Sequence, residues 1–280
     1  MRKVGLIFAG GGAKGSFSVG VAKAFKEAGV NVTVVSGTSV GAIVGGCFVT
    51  NKLSELEAAF GFSKGKESFF KNWKFPRLFR AYKKRALFDN SPIVKLARTI
   101  LSEDDFRGLT IKFGCAATNI ETGDLATFST ETLPGQMIDA ILASAALPPA
   151  FVPVRIQNST FVDGGLREAI PAKLAIDLDP ACDEYVIILP TKGMLGIPDK
   201  KFGDLSMGEY ALRLFDIMFS QIYEGNLNTG LSKYWAEAKF RIIEPEFQIV
   251  HDTLDFDPGR ALASIEEGYR QGRKFILNPR

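Results

Sequence analysis

The 280-residue sequence predicts a three-layer α/β/α fold, a mostly parallel central sheet with helices on both faces. Three observations predict it. Short apolar runs alternate with helix-like stretches along the chain. A glycine-rich loop joins the first run to the first helix. A G-x-S-x-G turn joins the second run to the second helix. The runs are Val4–Ala9, Val32–Ser36, Ile111–Asn119, Tyr185–Leu189 and Phe240–Ile243, each followed by a helical pattern. In such a sheet a site forms at the carboxyl ends of the strands, where the Gly10 and Ser39 loops emerge. The length suffices for one full core, and a single domain over residues 1–280 is the simplest organisation. There is no internal repeat and no low-complexity stretch.

The first element, Val4-Gly5-Leu6-Ile7-Phe8-Ala9, reads as a buried strand. Gly10-Gly11-Gly12-Ala13-Lys14-Gly15 follows, and Ser16 to Ala28 reads as a helix stopped by Gly29. The loop therefore aims backbone N–H groups into the space at a helix N-terminus, a place that favours negative charge. It could cradle a pyrophosphate, since the spacing fits G-x-G-x-x-G. It could instead hold the oxyanion of a tetrahedral intermediate. A dinucleotide fold places an acid about 20 positions further on to bind the ribose. No Asp or Glu lies between Glu27 and Glu55. That absence argues against a bound dinucleotide, and no Gly-Lys-Ser or Gly-Lys-Thr makes a P-loop. No cofactor is expected.

The second strand runs into Gly37-Thr38-Ser39-Val40-Gly41, and Ala42 to Val49 reads as a helix of small residues. G-x-S-x-G between strand and helix is the nucleophile-elbow pattern, with the serine on a tight, strained turn. Gly37 and Gly41 stand where a Cβ would crowd that turn. A plain turn serine is the alternative.

A serine nucleophile needs a base. The chain has one histidine, His251, so a Ser-His-acid triad has a single candidate. The other candidate is Asp163, in Phe161-Val162-Asp163-Gly164-Gly165. Asp-Gly is a hairpin signal, but Leu166-Arg167-Glu168-Ala169-Ile170-Pro171 is a poor returning strand. An aspartate at a strand end before two glycines is well suited to approach another loop closely.

These three segments, in this order, resemble the patatin-like phospholipase family: a glycine-rich oxyanion loop, a G-x-S-x-G nucleophile and a D-G-G motif. Ala143 to Pro153 is similar to the segment that precedes the aspartate motif in that family. Leu254-Asp255-Phe256-Asp257 and the helix to Phe275 are similar to the end of many bacterial members, so the likeness spans almost the whole chain. The resemblance implies a Ser39–Asp163 dyad, with the N–H groups of Gly10, Gly11, Gly12 and Ala13 as the oxyanion hole. Lys14, Gly15, Gly37, Gly41, Gly164 and Gly165 complete the three motifs. It implies hydrolysis of fatty acyl esters of membrane phospholipids, with no metal, and for some members an activating protein. A soluble carboxylesterase or thioesterase for smaller acyl groups, and a non-catalytic lipid-binding module, are the other readings.

Charge is unevenly spread. Lys64 to Arg85 holds nine basic residues and one acid, Glu67; that net +8 leaves −5 for the rest of a +3 chain. Phe69, Phe70, Trp73, Phe75, Phe79 and Tyr82 are interleaved. Such a stretch, residues 64–88, suits contact with an anionic membrane or a cap over the acyl pocket. A solvated face with inward-packed aromatics is the bland alternative. Nucleic-acid binding is not expected. The start is too short for a signal-peptide core, and no run of 18 apolar residues suggests a transmembrane helix. The expected location is cytoplasmic and peripheral at membrane, with signal-independent secretion also open. Cys47, Cys115 and Cys182 read as reduced core cysteines without metal spacing.

Overall fold

Strands β1 (Val4–Phe8), β2 (Val32–Thr38), β5 (Lys112–Asn119), β9 (Glu184–Ile188) and β10 (Phe240–Ile243) coincide with the five apolar runs. They form the parallel part of one sheet in the order β10-β9-β1-β2-β5. This computed structural model describes residues 2–72, 84–192, 201–205, 207–227 and 238–278. Trp73 to Lys83, the middle of the basic stretch, lie outside the described residues.

Side-chain alternation explains why the sheet is covered on both faces. Leu6, Phe8, Val35, Phe113, Val186 and Ile188 pack in one cluster with α1 (Ser16–Glu27), α2 (Val40–Val49) and α8 (Pro258–Leu277). Ile7, Val34, Tyr185 and Ile187 belong to the opposite cluster. That one includes α6 (Ala172–Leu178) and Tyr223 of α7 (Met207–Gly225). Helix α1 ends as its sequence suggests: Gly29 takes φ +62 and its N–H bonds Lys26 O at 3.2 Å.

The far side of β5 is antiparallel, a feature the apolar runs do not announce. β6 (Leu125–Ser129) and β8 (Ser159–Asp163) both pair with β5, and β7 (Val154–Ile156) pairs with β8 in a hairpin turning at Gln157 and Asn158. β6 is partly exposed and polar, and β7 has three residues, so neither carries a strong pattern.

Between α2 and β5 the chain forms α3 (Leu53–Gly61), a short antiparallel pair β3 (Lys71–Asn72) and β4 (Phe88–Asp89), then α4 (Ser91–Ile100). Phe69 and Phe70 are buried, and Phe69 stacks on Phe256 at 4.1 Å between ring centres. These two aromatics of the basic stretch therefore face the core and not a lipid surface. Lys64, Lys66, Lys71, Lys84 and Arg85 are exposed. Cys47 and Cys115 are buried free thiols, and Cys182 is half-buried. Among the described residues no helix is long and apolar enough to cross a membrane.

Candidate active site

Ser39 is the residue between the end of β2 and the start of α2. Its backbone sits at φ 57 and ψ −129, a left-handed conformation that costs a non-glycine residue on the order of 1–3 kcal/mol. Two close approaches hold it there. A Cβ on Gly37 would lie 2.3 Å from Gly41 O, and one on Gly41 would lie 2.1 Å from Phe8 O. Hydrogen bonds also brace the turn. The Ser39 N–H donates to Ser144 Oγ at 2.9 Å, and that hydroxyl donates to Ala116 O at 2.6 Å. Thr38 Oγ1 donates to Glu168 O at 2.9 Å. The hydroxyl thus stands at the N-terminus of α2, where the helix dipole favours a developing oxyanion or alkoxide.

Strand register brings Asp163 to the same place. Thr38 pairs with Ala116 of β5, and the next residue, Ala117, pairs with Asp163 of β8. Ser39 and Asp163 therefore fall in one row across the sheet. The segment similar to the family before the aspartate motif ties the two together. Ser144 holds the Ser39 N–H, and Ala146 O accepts the Asp163 N–H at 3.0 Å.

The Asp163 carboxyl is fully buried. Burial raises its pKa to about 7, while the Ser39 hydroxyl and the Gly165 N–H oppose the rise. Oδ1 accepts the Gly165 N–H at 2.8 Å. No buried partner completes a bond of full geometry to Oδ2. The Ser39 hydroxyl is close enough to lower the pKa without closing that bond, as resting sites often are before substrate tightens them. Both glycines after Asp163 are required by space. A Cβ on Gly164 would lie 2.2 Å from Ala116 O, and one on Gly165 would lie 2.0 Å from the Phe219 ring.

The glycine loop turns through a short 3-10 segment, Gly12–Gly15, into α1. Its four candidate donors are not equivalent. The Gly10 N–H bonds Ala169 O at 3.0 Å, and the Ala13 N–H bonds Thr253 O at 2.8 Å. The Gly11 and Gly12 N–H groups have no partner among the described residues. Of the four N–H groups expected to serve as oxyanion donors, those of Gly10 and Ala13 are thus bonded within the fold, and those of Gly11 and Gly12 are free among the described residues. Gly12 has φ +59, and a Cβ there would lie 2.2 Å from Thr253 O. Gly15 lets the loop pack against Val40, whose Cγ2 would lie 2.4 Å from an added Cβ.

Two cavities meet at this loop. One is apolar and about 680 Å³ with its mouth included; Gly12, Ser39, Phe60, Phe69, Ile100 and Phe256 are among its walls. The other, about 450 Å³, is polar and is bounded by Gly10, Gly11 and Lys14. His251 is exposed, lines the polar cavity and makes no hydrogen bond to Ser39, so the single-histidine triad is not assembled here. No group of acids, histidines and cysteines among the described residues could hold a metal. Ser144, Phe219 and Thr253 shape the site but carry no motif of their own; only the position of Ser144 within Ala143–Pro153 hints at a role.

A strained serine on a strand-to-helix turn, a buried carboxyl beside it and an apolar pocket at its hydroxyl define an α/β protein of the nucleophile-elbow class. The chain belongs to the patatin-like phospholipase family, whose model matches residues 6–176. It is 28% identical over 190 residues to a cGAMP-activated phospholipase of Escherichia coli, covering 60% of this chain and 53% of that protein. It is 28% identical over 182 residues to a patatin-like phospholipase domain-containing protein of Caenorhabditis elegans, covering 64% of this chain and 13% of that protein. The chain therefore matches only part of the length of these relatives. The fold also superposes on VipD from Legionella pneumophila with a TM-score of 0.53 at 16% identity, over 99% of this chain and 66% of that one.

Proposed function

We propose that this protein is a lipid acyl hydrolase of the phospholipase A type, working through a Ser39–Asp163 dyad. The observation that carries the reading is the strained Ser39, set beside a buried carboxyl with a pKa of about 7, at the wall of an apolar pocket. Ser39 Oγ attacks the carbonyl carbon of the ester, and its proton passes to Asp163. The carbonyl oxygen becomes an oxyanion that the Gly11 and Gly12 N–H groups receive. As the tetrahedral adduct collapses, Asp163 returns the proton to the leaving alcohol. Water then attacks the acyl enzyme, giving its proton to Asp163, which passes it back to Ser39 as the fatty acid leaves. An ordinary aspartate, with a pKa of about 3.9, is a poor base at neutral pH. Burial makes Asp163 a better one while leaving it substantially ionised near neutrality.

The apolar pocket suits a long acyl chain better than a short polar one. Access to that chain is proposed through peripheral contact with an anionic membrane. The exposed Lys64, Lys66, Lys71, Lys84 and Arg85 support this, as does Phe62, 88% exposed directly after the pocket-lining helix α3. The test is fatty-acid release from mixed anionic phospholipid vesicles in EDTA. Wild type is expected to release fatty acid and Ser39→Ala to release none. Equal release by both refutes the nucleophile. Turnover of dispersed short esters with none on vesicles favours a carboxylesterase instead.

A further inference from the structure

Phe219 reaches the dyad from α7, a helix that the three sequence motifs do not include. Phe215, Phe219 and Tyr223 recur there every fourth residue, so their rings form one row along one face, 6.0 and 6.4 Å apart between centres. Phe215 is buried in the cluster on one side of the sheet and Tyr223 in the cluster on the other. Phe219 packs against both, and is thus held where the two clusters meet.

The edge of its ring enters the gap between the glycine loop and the aspartate turn. The point where a Gly165 Cβ would stand is 2.0 Å from Phe219 Cε2 and 3.0 Å from Asp163 Oδ1. The point where a Gly10 Cβ would stand is 3.1 Å from Phe219 Cζ and 3.3 Å from Ser39 Cβ. One ring edge lies close to both members of the dyad, and glycine at 10 and 165 leaves room for it. The same ring is a wall of the polar cavity, with Gly10, Lys14, Arg213 and Asp216. Solvent reaches that cavity, since exposed His251 also lines it. Asp163 and Gly165 are not on its walls, and the carboxyl is fully buried.

Among the described residues no charge offsets burial at Asp163; the Ser39 hydroxyl and the Gly165 N–H oppose it. Helix α2 has no charged residue, Lys112 of β5 bonds Leu178 O, and Asp139 of the helix Met137–Ser144 pairs with Arg98. After the aspartate turn, Arg167 is exposed and Glu168 interacts with Lys173 and Asp177. Lys14, Arg213 and Asp216 belong to the cavity. A carboxyl without a charged partner is kept neutral by burial and ionises more readily as water reaches it. Access to water therefore governs Asp163.

We propose that Phe219 is a positioning residue for the hydrolysis: its ring is a plug that separates the Asp163 carboxyl from the solvent of the polar cavity and keeps the base dry enough to take the serine proton. The assignment rests on the Ser39–Asp163 reading and adds a residue from outside its motifs. Phe219 is not a wall of the apolar pocket, so the plug acts on proton transfer and not on the acyl chain.

The test reads the carboxyl and the reaction separately. Aspartate carboxyls labelled with carbon-13 are titrated by NMR, and the Asp163 signal is the one missing from Asp163→Asn. In parallel, kcat and KM for fatty-acid release are measured against pH. Wild type is expected to titrate near pH 7 in both arms. Phe219→Ala is expected to move both midpoints down by about one pH unit or more, and to lower the plateau kcat about tenfold with KM nearly constant, as a weaker base would. Phe219→Leu lacks the Cε and Cζ atoms and is expected to move the midpoints the same way by less. Phe219→Met reaches as far as the ring and is expected to restore them. Where Phe219→Ala does not fold, the Leu and Met pair decides. Phe215→Ala removes the neighbouring ring, and is expected to lower the melting temperature and leave both midpoints in place. Midpoints unmoved in Phe219→Leu overturn the plug. An equal shift in Phe215→Ala also overturns it, and assigns the effect to the seating of the helix. Failure of the hydrolase reading looks different: an Asp163 signal that moves as expected while wild type cleaves no ester supports the plug and removes the reaction.

Discussion

The two cavities at the glycine loop share a wall and little else. On the Ser39 side the walls are mostly aliphatic and aromatic, with Ser39 among them. On the Lys14 side the walls carry both signs of charge and spare hydrogen-bond donors. Two glycines, Gly11 and Gly12, separate them, and their N–H groups have no partner among the described residues. One loop thus does two jobs: it closes an apolar slot on one face and presents donors at the boundary. An ester is itself such a boundary, with an apolar acyl part, a polar carbonyl and an alcohol.

The largest expected effects are at the shared edge. Ser39→Ala is expected to lower kcat by about 10³-fold or more in a fatty-acid release assay. Asp163→Asn is expected to cost about as much, with a second signature in stability. The folded pKa of Asp163 lies above its unfolded value, so its contribution to stability is full at low pH and is lost as pH rises through about 7. Asp163→Asn is therefore expected to melt a few degrees above wild type at pH 8, with the gain shrinking at pH 5, as thermal scans at both values would read. An inactive variant that is no more stable at pH 8 would mean the carboxyl is less buried than its contacts imply.

The loop itself comes next. Gly12→Ala puts a Cβ where Thr253 O stands and tilts one of two oxyanion donors, so kcat should fall about 10²–10³-fold. An unaffected kcat in that variant would move the oxyanion elsewhere. The pH profile is a smaller but cleaner effect. kcat/KM should rise with an acid limb near pH 7, because the base must be ionised to accept the serine proton. A limb near 4 would point to an unperturbed carboxylate. On the apolar side, Ile100→Trp narrows the pocket and should lower kcat/KM for palmitoyl esters more than for butyryl esters, about tenfold in the ratio. Equal change on both chain lengths would move the acyl chain out of this pocket. Smallest is Ser144→Ala, which frees the Ser39 N–H and should reduce kcat several-fold with KM nearly constant.

Much of this arrangement was legible in the sequence because it rests on missing side chains. Gly12, Gly37, Gly41, Gly164 and Gly165 each stand where a Cβ would meet backbone or a ring, and that need is written as glycine. The parallel core was legible for a similar reason: strands buried on both faces must read as apolar runs. What depends on backbone bonding was not. Nothing in the residues Gly10 and Ala13 says that Ala169 O and Thr253 O take their N–H groups. The short, half-exposed strands β6 and β7 lack the pattern that marks β1 and β2. Phe69 and Phe70 read with the basic stretch around them, yet they pack on Phe256 from near the chain's end. The polar cavity draws on Gly11, Arg213 and His251, residues no local window contains together.

The most direct measurement is labelling by a fluorophosphonate followed by mass spectrometry of the modified peptide, across wild type and Asp163→Asn. Wild type is expected to carry the adduct on Ser39 alone, with labelling that rises through pH 7, and Asp163→Asn is expected to label at least 10²-fold more slowly. Rapid, pH-independent labelling of Asp163→Asn, or an adduct on another residue, would contradict the dyad.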